Sequence, residues 1–199
     1  MSRADRFDRA DFDFEEEAAD KALNAPPALA EPSAERVTAK PDRTPRWMWP
    51  INPALITSLG DSVTPDRPGK HRPHEGLDIF AAAGTRIYAS GSGTVLYVVD
   101  GRQSNQKKRR AAGLFVAVVT DPDASGTQYL HRYLHLATVR DLDKQRIAQG
   151  APIGELAQAH TSGLAESPHL HFEVRALRQD GSYGPPLDPR WFLPPLAVS

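Results

Sequence analysis

Two histidines, His169 and His171, stand two positions apart in a run of residues typical of a β-strand. Successive side chains of a strand point to opposite faces, so that residues at i and i+2 share a face. We therefore expect both imidazoles on one side of a rigid backbone, each offering a nitrogen donor. The pairing predicts the beginning of a metal site, whose other ligands must come from elsewhere in the chain.

A second pair of candidate ligands, His74 and Asp78, is separated by three residues. Pro73 precedes this pair and Gly76 lies inside it, which argues against the helix of a His-Glu-x-x-His zinc motif. In extended structure, positions 74, 76 and 78 share one face, and a glycine between the two ligands leaves space for an ion. We expect His74 and Asp78 to bind one metal ion together.

Adding His171 gives two imidazoles and one carboxylate, a donor set typical of catalytic zinc when a fourth position is left for water. Zinc lowers the pKa of such a water to about 7, which makes hydroxide available near neutral pH. The chain contains no cysteine, which excludes disulfide bonds and zinc sites built on thiolates. The nitrogen-rich set favours one Zn²⁺ per chain, with other divalent metals as alternatives.

Two further histidines are candidates for proton transfer during catalysis. His169 shares the face of His171, and His135 lies in a separate predicted strand. Neutral imidazole accepts a proton, and imidazolium stabilises an oxyanion or protonates a leaving amine. His131 would share a face with His135 if that strand is unbroken, which makes it a rival for the same role. The remaining histidines are expected in loops, the second of them bordering the groove: His71 and His160.

Composition narrows the class of protein. The 199 residues carry a net charge of −1, so no global field directs the chain to nucleic acid. No stretch approaches the roughly 20 apolar residues of a membrane span. The first residues are acidic and polar and have no apolar stretch of the kind found in secretory signal peptides.

The chain divides into two parts of different composition. Residues 1–45 are first highly charged and then rich in alanine, proline and glutamate. Such a segment buries too little apolar surface to offset the entropy of ordering. It is predicted to be a disordered or partly helical tail, serving as a docking or delivery segment or as a plain linker. The folded domain is predicted over residues 46–199, beginning with the apolar segment that holds Trp47 and Trp49.

Short β-rich runs bounded by glycine- and proline-containing turns predict a mainly β domain. The predicted strands cover residues 77–80, 85–89, 93–99, 114–119, 127–136 and 169–177, with a hairpin at 147–154. Residues 101–110 are predicted to form a polar loop that ends in four consecutive basic residues. That loop is a candidate surface for an anionic polymer or, alternatively, a solvated hairpin connection.

Taken in order, these motifs resemble the lysostaphin-type zinc metalloendopeptidases, which cut peptides of bacterial peptidoglycan. The resemblance covers residues 47–193. It rests on the His-x-x-x-Asp motif at 74–78, the segment 84–89, Tyr-x-His-Leu at 133–136, Pro-His-Leu-His-Phe-Glu at 168–173 and Asp-Pro at 188–189. Each motif is short, but all of them in the right order are highly specific.

The resemblance implies an antiparallel β-sandwich-like peptidase domain, with its site in a groove walled by loops. It implies catalytic roles for His135 and His169, which favours His135 over His131. It also implies a zinc ion held by three residues: His74, Asp78 and His171.

The implied activity is that of an endopeptidase acting on cross-links or stem peptides of peptidoglycan. The expected partner is therefore the peptide part of the wall, with no nucleic acid and no membrane. The alternative is a non-catalytic module of the same fold that binds peptidoglycan or activates another hydrolase.

The absence of a signal peptide predicts a protein made in the cytoplasm that acts on the wall, in the periplasm or outside the cell. Non-classical export, injection or lysis would bring it there. This favours a delivered antibacterial effector, or a component of a phage or injection system. Delivery machinery or an immunity protein would then be further partners.

Overall fold

The computed structural model of the protein describes residues 45–64, 73–178 and 180–196, and most of the described chain is strand or loop. The predicted tail lies outside the described residues except at position 45, and His71 lies outside them too. The strands are β1 (Ser58–Leu59), β2 (Leu77–Phe80), β3 (Arg86–Tyr88), β4 (Gly93–Asp100), β5 (Leu114–Thr120), β6 (Tyr129–Val139), β7 (Arg146–Ile147), β8 (Pro152–Leu156), β9 (His169–Leu177) and β10 (Tyr183–Leu187). A six-residue helix, α1 (Lys107–Ala112), connects β4 to β5. Short 3-10 helices span Pro53–Leu55 and Pro189–Trp191.

All of these strands pair antiparallel in one connected sheet, whose main path runs β1-β2-β9-β6-β5-β4-β7. The eleven-residue strand β6 is central, because its first part lies between β5 and β9. Its last residues pair with β8 instead, and β8 pairs in turn with β3. The β3–β8 pair thus branches from the main sheet at the end of β6.

The hydrophobic core lies between one face of the main sheet and this β3–β8 pair. Alternate residues of β9, among them Leu170 and Phe172, are fully buried there together with Ile153 of β8. The ring of Trp47 closes the core against Phe192, with ring centroids 4.4 Å apart. Burying a large apolar side chain contributes about 1.5–3 kcal/mol to the free energy of folding, so these core contacts stabilise the main sheet.

The prediction of a mainly β, antiparallel domain is confirmed, and each predicted strand is present with slightly different ends. The structure adds β1, α1, β10 and the two 3-10 helices, which the sequence did not predict. The predicted hairpin at 147–154 is wrong, because β7 pairs with β4 whereas β8 pairs with β3 and β6. Strand β10 contains Pro185 and Pro186, which cannot donate to a ladder; it pairs only with β9, and the register shifts before Pro186. Within the described residues, no helix combines the length and apolar character needed to cross a membrane.

Candidate metal centre

Two neighbouring strands, β2 and β9, place one candidate ligand each side by side across the sheet. Asp78 of β2 is paired in register with His171 of β9, and His171 is paired with Leu134 of β6. Residues that are directly opposite on adjacent strands point to the same face. This face is opposite to that of the core residue Phe172. Asp78 Oδ1 lies 2.8 Å from His171 Nδ1 as a direct result of this register.

His74 approaches the same carboxylate from the segment before β2. Its backbone forms an isolated bridge with Thr64, and its ring Nδ1 donates to the carbonyl of Ser62 at 2.9 Å. The other ring nitrogen, Nε2, lies 3.0 Å from Asp78 Oδ1. One ligand atom from each of three buried or half-buried side chains thus lies within 4.8 Å of the others: His74, Asp78 and His171.

Gly76 permits this arrangement in a different way from the one expected. A Cβ at position 76 would lie 2.6 Å from the carbonyl oxygen of Phe172 and 2.8 Å from His171 Nε2. The space that the glycine leaves is therefore filled by the backbone of β9 and the ring of a ligand. The expectation that it gives an ion access is wrong.

The outward ring nitrogen of each histidine in this region faces an oxygen acceptor. Because a neutral imidazole carries one N–H, such an acceptor draws the proton to the outer nitrogen and leaves a lone pair on the inner one. The pairs are His74 Nδ1 with Ser62 O (2.9 Å), His135 Nδ1 with Ser162 O (3.1 Å), His169 Nδ1 with Ser167 O (2.8 Å) and His171 Nε2 with Glu173 Oε1 (3.4 Å).

The electrostatics of the site favour a bound cation. Burial by itself would raise the pKa of Asp78, but hydrogen bonds from His171 and His74 outweigh it and hold the pKa far below its usual range. Burial would lower the pKa of His171, yet its hydrogen bonds with Asp78 and Glu173 raise the pKa to about 9. Two anionic side chains thus flank this imidazole, and they stabilise either a proton or a metal ion on Nδ1.

The histidines predicted to transfer protons lie beside these ligands. His169 Nε2 is 3.7 Å from Asp78 Oδ1. The ring centroid of His135 lies 4.9 Å from that of His169 and 6.1 Å from that of His171. Burial, together with these neighbouring imidazoles, lowers the pKa of His135 to about 3, so that this ring is neutral at physiological pH.

A local break in β6 brings His135 to the site. Up to Leu134 the strand alternates, with Tyr133 facing the core and Leu134 facing the site. His135 would continue toward the core, but its φ of 65° and the register shifts opposite β5 and β8 reverse the alternation. A positive φ is uncommon for a residue other than glycine.

His131 consequently does not share a face with His135, contrary to what an unbroken strand would give. It is fully buried, and its ring packs edge-on against Trp47 at 4.2 Å and against Phe172 at 5.3 Å. The structure places His160 in the exposed part of the loop between β8 and β9. The five residues that the sequence singled out are brought together: His74, Asp78, His135, His169 and His171.

Sequence reasoning missed the acceptors behind the histidines. Three of them are backbone carbonyls, of Ser62, Ser162 and Ser167, and a carbonyl in a loop leaves no signal in the residue types. Glu173 was accessible to prediction, because it lies two positions after His171 on the same strand and must share its face.

The sequence matches a known family over most of the described domain. Residues 72–189, more than half of the chain, match the family described as Peptidase family M23. The chain is 30% identical over 102 residues to the peptidoglycan DD-endopeptidase ShyA of Vibrio cholerae, a match that covers 51% of this chain and 20% of ShyA. It is 29% identical over 149 residues to the cell division protein DipM of Caulobacter vibrioides, covering 75% of this chain and 21% of DipM. The chain therefore spans about a fifth of the length of these relatives.

Solved structures show a related fold. A zinc-containing peptidase from Vibrio cholerae superposes with a TM-score of 0.55 at 24% identity, covering 74% of this chain and 39% of that one. The catalytic domain of lysostaphin from Staphylococcus simulans superposes with a TM-score of 0.51 at 21% identity, covering 66% of this chain and 88% of that domain. The prediction of a lysostaphin-type β-fold is confirmed.

Proposed function

Since the chain belongs to peptidase family M23, we propose that it is a zinc endopeptidase that hydrolyses peptide bonds in the cross-links or stem peptides of bacterial peptidoglycan. The observation that carries the proposal is the convergence of His74 Nε2, His171 Nδ1 and a carboxylate oxygen of Asp78 beside two further histidines. The substrate class is supported by relatives such as ShyA, whose name describes a peptidoglycan DD-endopeptidase.

The donor set fits zinc. Two imidazole nitrogens whose outer partners are acceptors, together with one ionised carboxylate, match the ligands of catalytic zinc sites. A zinc ion held by His74, Asp78 and His171 would supply a Lewis acid and a nucleophilic water near neutral pH. One such site is present in the described part of the chain, which supports one zinc ion per chain.

His135 and His169 are suited to move the proton of the reaction. Each donates from Nδ1 to a backbone carbonyl, so Nε2 carries the lone pair. One of these rings accepts a proton from the attacking water as oxygen bonds to the scissile carbonyl carbon. The protonated ring then returns this proton to the amine nitrogen as the C–N bond breaks, and the enzyme ends in its starting state.

The experiment combines metal analysis with product analysis. Purified full-length protein loaded with zinc is incubated with purified sacculi of known chemistry, and released muropeptides are identified by mass spectrometry. We expect products cut at one type of peptide bond, and none from His135→Ala or His169→Ala variants that still hold zinc. Zinc-loaded protein that binds walls of every common chemistry but releases nothing would instead support a non-catalytic binding or activating module.

We further propose that the enzyme acts on the wall outside the cytoplasm and that residues 1–45 serve its delivery. The peptidoglycan substrate supports the location. Removing residues 1–45 is expected to abolish delivery into target cells while leaving hydrolysis of purified sacculi intact. Loss of both activities would contradict this division of labour. Delivery machinery and an immunity protein are the further partners that we propose for delivery into target cells.

A further inference from the structure

Glu173 is a buried carboxylate behind the metal site. It is not one of the three proposed ligands, and it has no role in the proposed proton transfer. It lies two residues after His171 on β9, so both side chains share one face. Its side chain is 5% exposed, and its Oε1 lies 3.4 Å from His171 Nε2, the ring nitrogen opposite to the one that faces Asp78. Burying an ionised carboxylate is costly unless partners compensate it, so its partners indicate its role.

Arginine holds the other oxygen of this carboxylate. Arg132 of β6 is paired in register with Glu173, and its Nη1 donates to Glu173 Oε2 at 3.1 Å. The guanidinium of Arg132 is itself placed over the ring of Phe115, 5.0 Å from the centroid. Arg132 thus occupies Oε2 and leaves Oε1 for the imidazole of His171.

A second arginine connects this network to the segment that carries the other histidine ligand. Arg175 Nε lies 3.8 Å from Glu173 Oε2, and Arg175 Nη2 donates to Glu75 Oε2 at 2.8 Å. Glu75 follows His74 directly in the chain. The two ligand-bearing segments are thus joined on their outer side by carboxylate–guanidinium contacts that involve no ligand atom.

We propose that Glu173, held in place by Arg132, is a positioning residue for the metal ligand His171. It fixes the rotation of the imidazole and keeps the N–H at Nε2, so that Nδ1 presents its lone pair to the ion. Arg175 and Glu75 add an outer link between the segments of His171 and His74. The inference rests on the proposed zinc site but not on hydrolysis, because its consequence is metal affinity.

The test is the zinc affinity of the full-length Glu173→Gln variant, measured by competition with a chelator. Loss of a carboxylate behind a ligating histidine is expected to weaken zinc binding about 10- to 100-fold. Glu155→Gln is the matched control, since Glu155 is exposed on β8 and is paired with Arg86 of β3, and it should keep the wild-type affinity. Because Glu75 is half exposed, Arg175→Gln is expected to weaken zinc binding less than about fivefold.

A double variant separates positioning from folding. Glu173→Gln alone leaves the charge of Arg132 without its partner, which destabilises the protein by itself. Adding Arg132→Met removes that charge and is expected to restore the unfolding midpoint. If Glu173 positions His171, zinc affinity stays about 10- to 100-fold weaker even where stability is restored. If the role is merely structural, affinity returns with stability, and the proposal is overturned.

Nuclear magnetic resonance of the imidazoles reports which ring nitrogen carries the proton, and this does not depend on the stability of the protein. Long-range proton–nitrogen spectra of the zinc-loaded chain are expected to show the His171 proton on Nε2, and a mixed or altered state in the double variant. A wild-type chain that binds no zinc, or variants that bind it as tightly as wild type, would refute the positioning role. Tight zinc binding without hydrolysis would refute the proposed function alone and leave the positioning role measurable.

Discussion

Replacing Gly163 by alanine is expected to displace His135 without touching any metal ligand. Gly163 has a φ of 75°, and a Cβ built on it would lie 2.7 Å from His135 Nδ1 and 2.3 Å from the carbonyl oxygen of Ala111. The Ala111 carbonyl is held in place, because it lies in the last turn of α1 and accepts the backbone N–H of Leu164 at 3.1 Å. The imidazole must therefore move away from its acceptor, Ser162 O.

The size of the effect follows from two contributions. An L-residue in the left-handed region costs about 1–2 kcal/mol, and a steric overlap in a packed region adds about 1–3 kcal/mol. Gly84 provides a matched control, because its φ is 78° and a Cβ added to it would have nothing within 4 Å. Gly84→Ala carries only the first contribution. The difference between the two variants in free energy of unfolding, about 1–3 kcal/mol, therefore isolates the overlap with His135 and Ala111.

Denaturant unfolding, zinc content and turnover on purified sacculi are measured for both variants. Gly163→Ala is expected to retain one zinc ion per chain and to lose about 10²- to 10⁴-fold in turnover, the usual contribution of a positioned acid or base. Gly84→Ala should keep wild-type turnover. If both variants have equal stability and equal turnover, the placement of His135 by this glycine is refuted.

Three further predictions concern other parts of the molecule. Burial lowers the pKa of His131 to about 3, so its contribution to stability is complete above about pH 6.5 and is lost as the pH falls toward 3. Between pH 7.5 and pH 5, the free energy of unfolding of wild type should fall by about 2 kcal/mol more than that of His131→Met. The variant of an exposed histidine, His160→Gln, should behave as wild type. Equal losses in all three proteins would contradict this prediction. Replacing the exposed cations of α1 by glutamine (Lys107, Lys108 and Arg110) is expected to weaken binding to sacculi at low salt but not at high salt. Hydrolysis of a short uncharged peptide should be unchanged. If the variant binds sacculi at low salt as wild type does, the solvated-loop alternative is supported. Removing zinc with a chelator should lower the unfolding temperature of wild type and leave that of Asp78→Asn unchanged. A decrease of equal size in both proteins would mean that the stabilising metal binds elsewhere.

The regular part of the site was predictable because it follows from strand periodicity. In β9 the alternation that buries Leu170 and Phe172 also places His169 and His171 on the opposite face. Short-range spacing likewise identified His74 and Asp78 as one pair. These features depend on neighbours in sequence, which residue types encode directly.

The irregular part depends on contacts between distant segments and was not predictable. His135 reaches the site through a positive φ that its residue type does not predict. The acceptor of its Nδ1–H is a backbone carbonyl 27 residues later in the chain. The helix α1 forms from a strongly basic segment because Ala111 and Ala112 are buried against the domain. Tertiary packing there overrides the local preference of a charged loop.

The proposed function depends on zinc binding by the wild-type protein. Stoichiometry and affinity are measured for wild type, for alanine variants of the three ligands and for His135→Ala and His169→Ala. We expect one zinc ion per chain in wild type and in the two variants that leave the ligands intact. Each ligand variant should lose it: His74→Ala, Asp78→Ala and His171→Ala. Wild-type affinity in any one of the ligand variants, or no zinc in wild type, would contradict a zinc site built from these three residues.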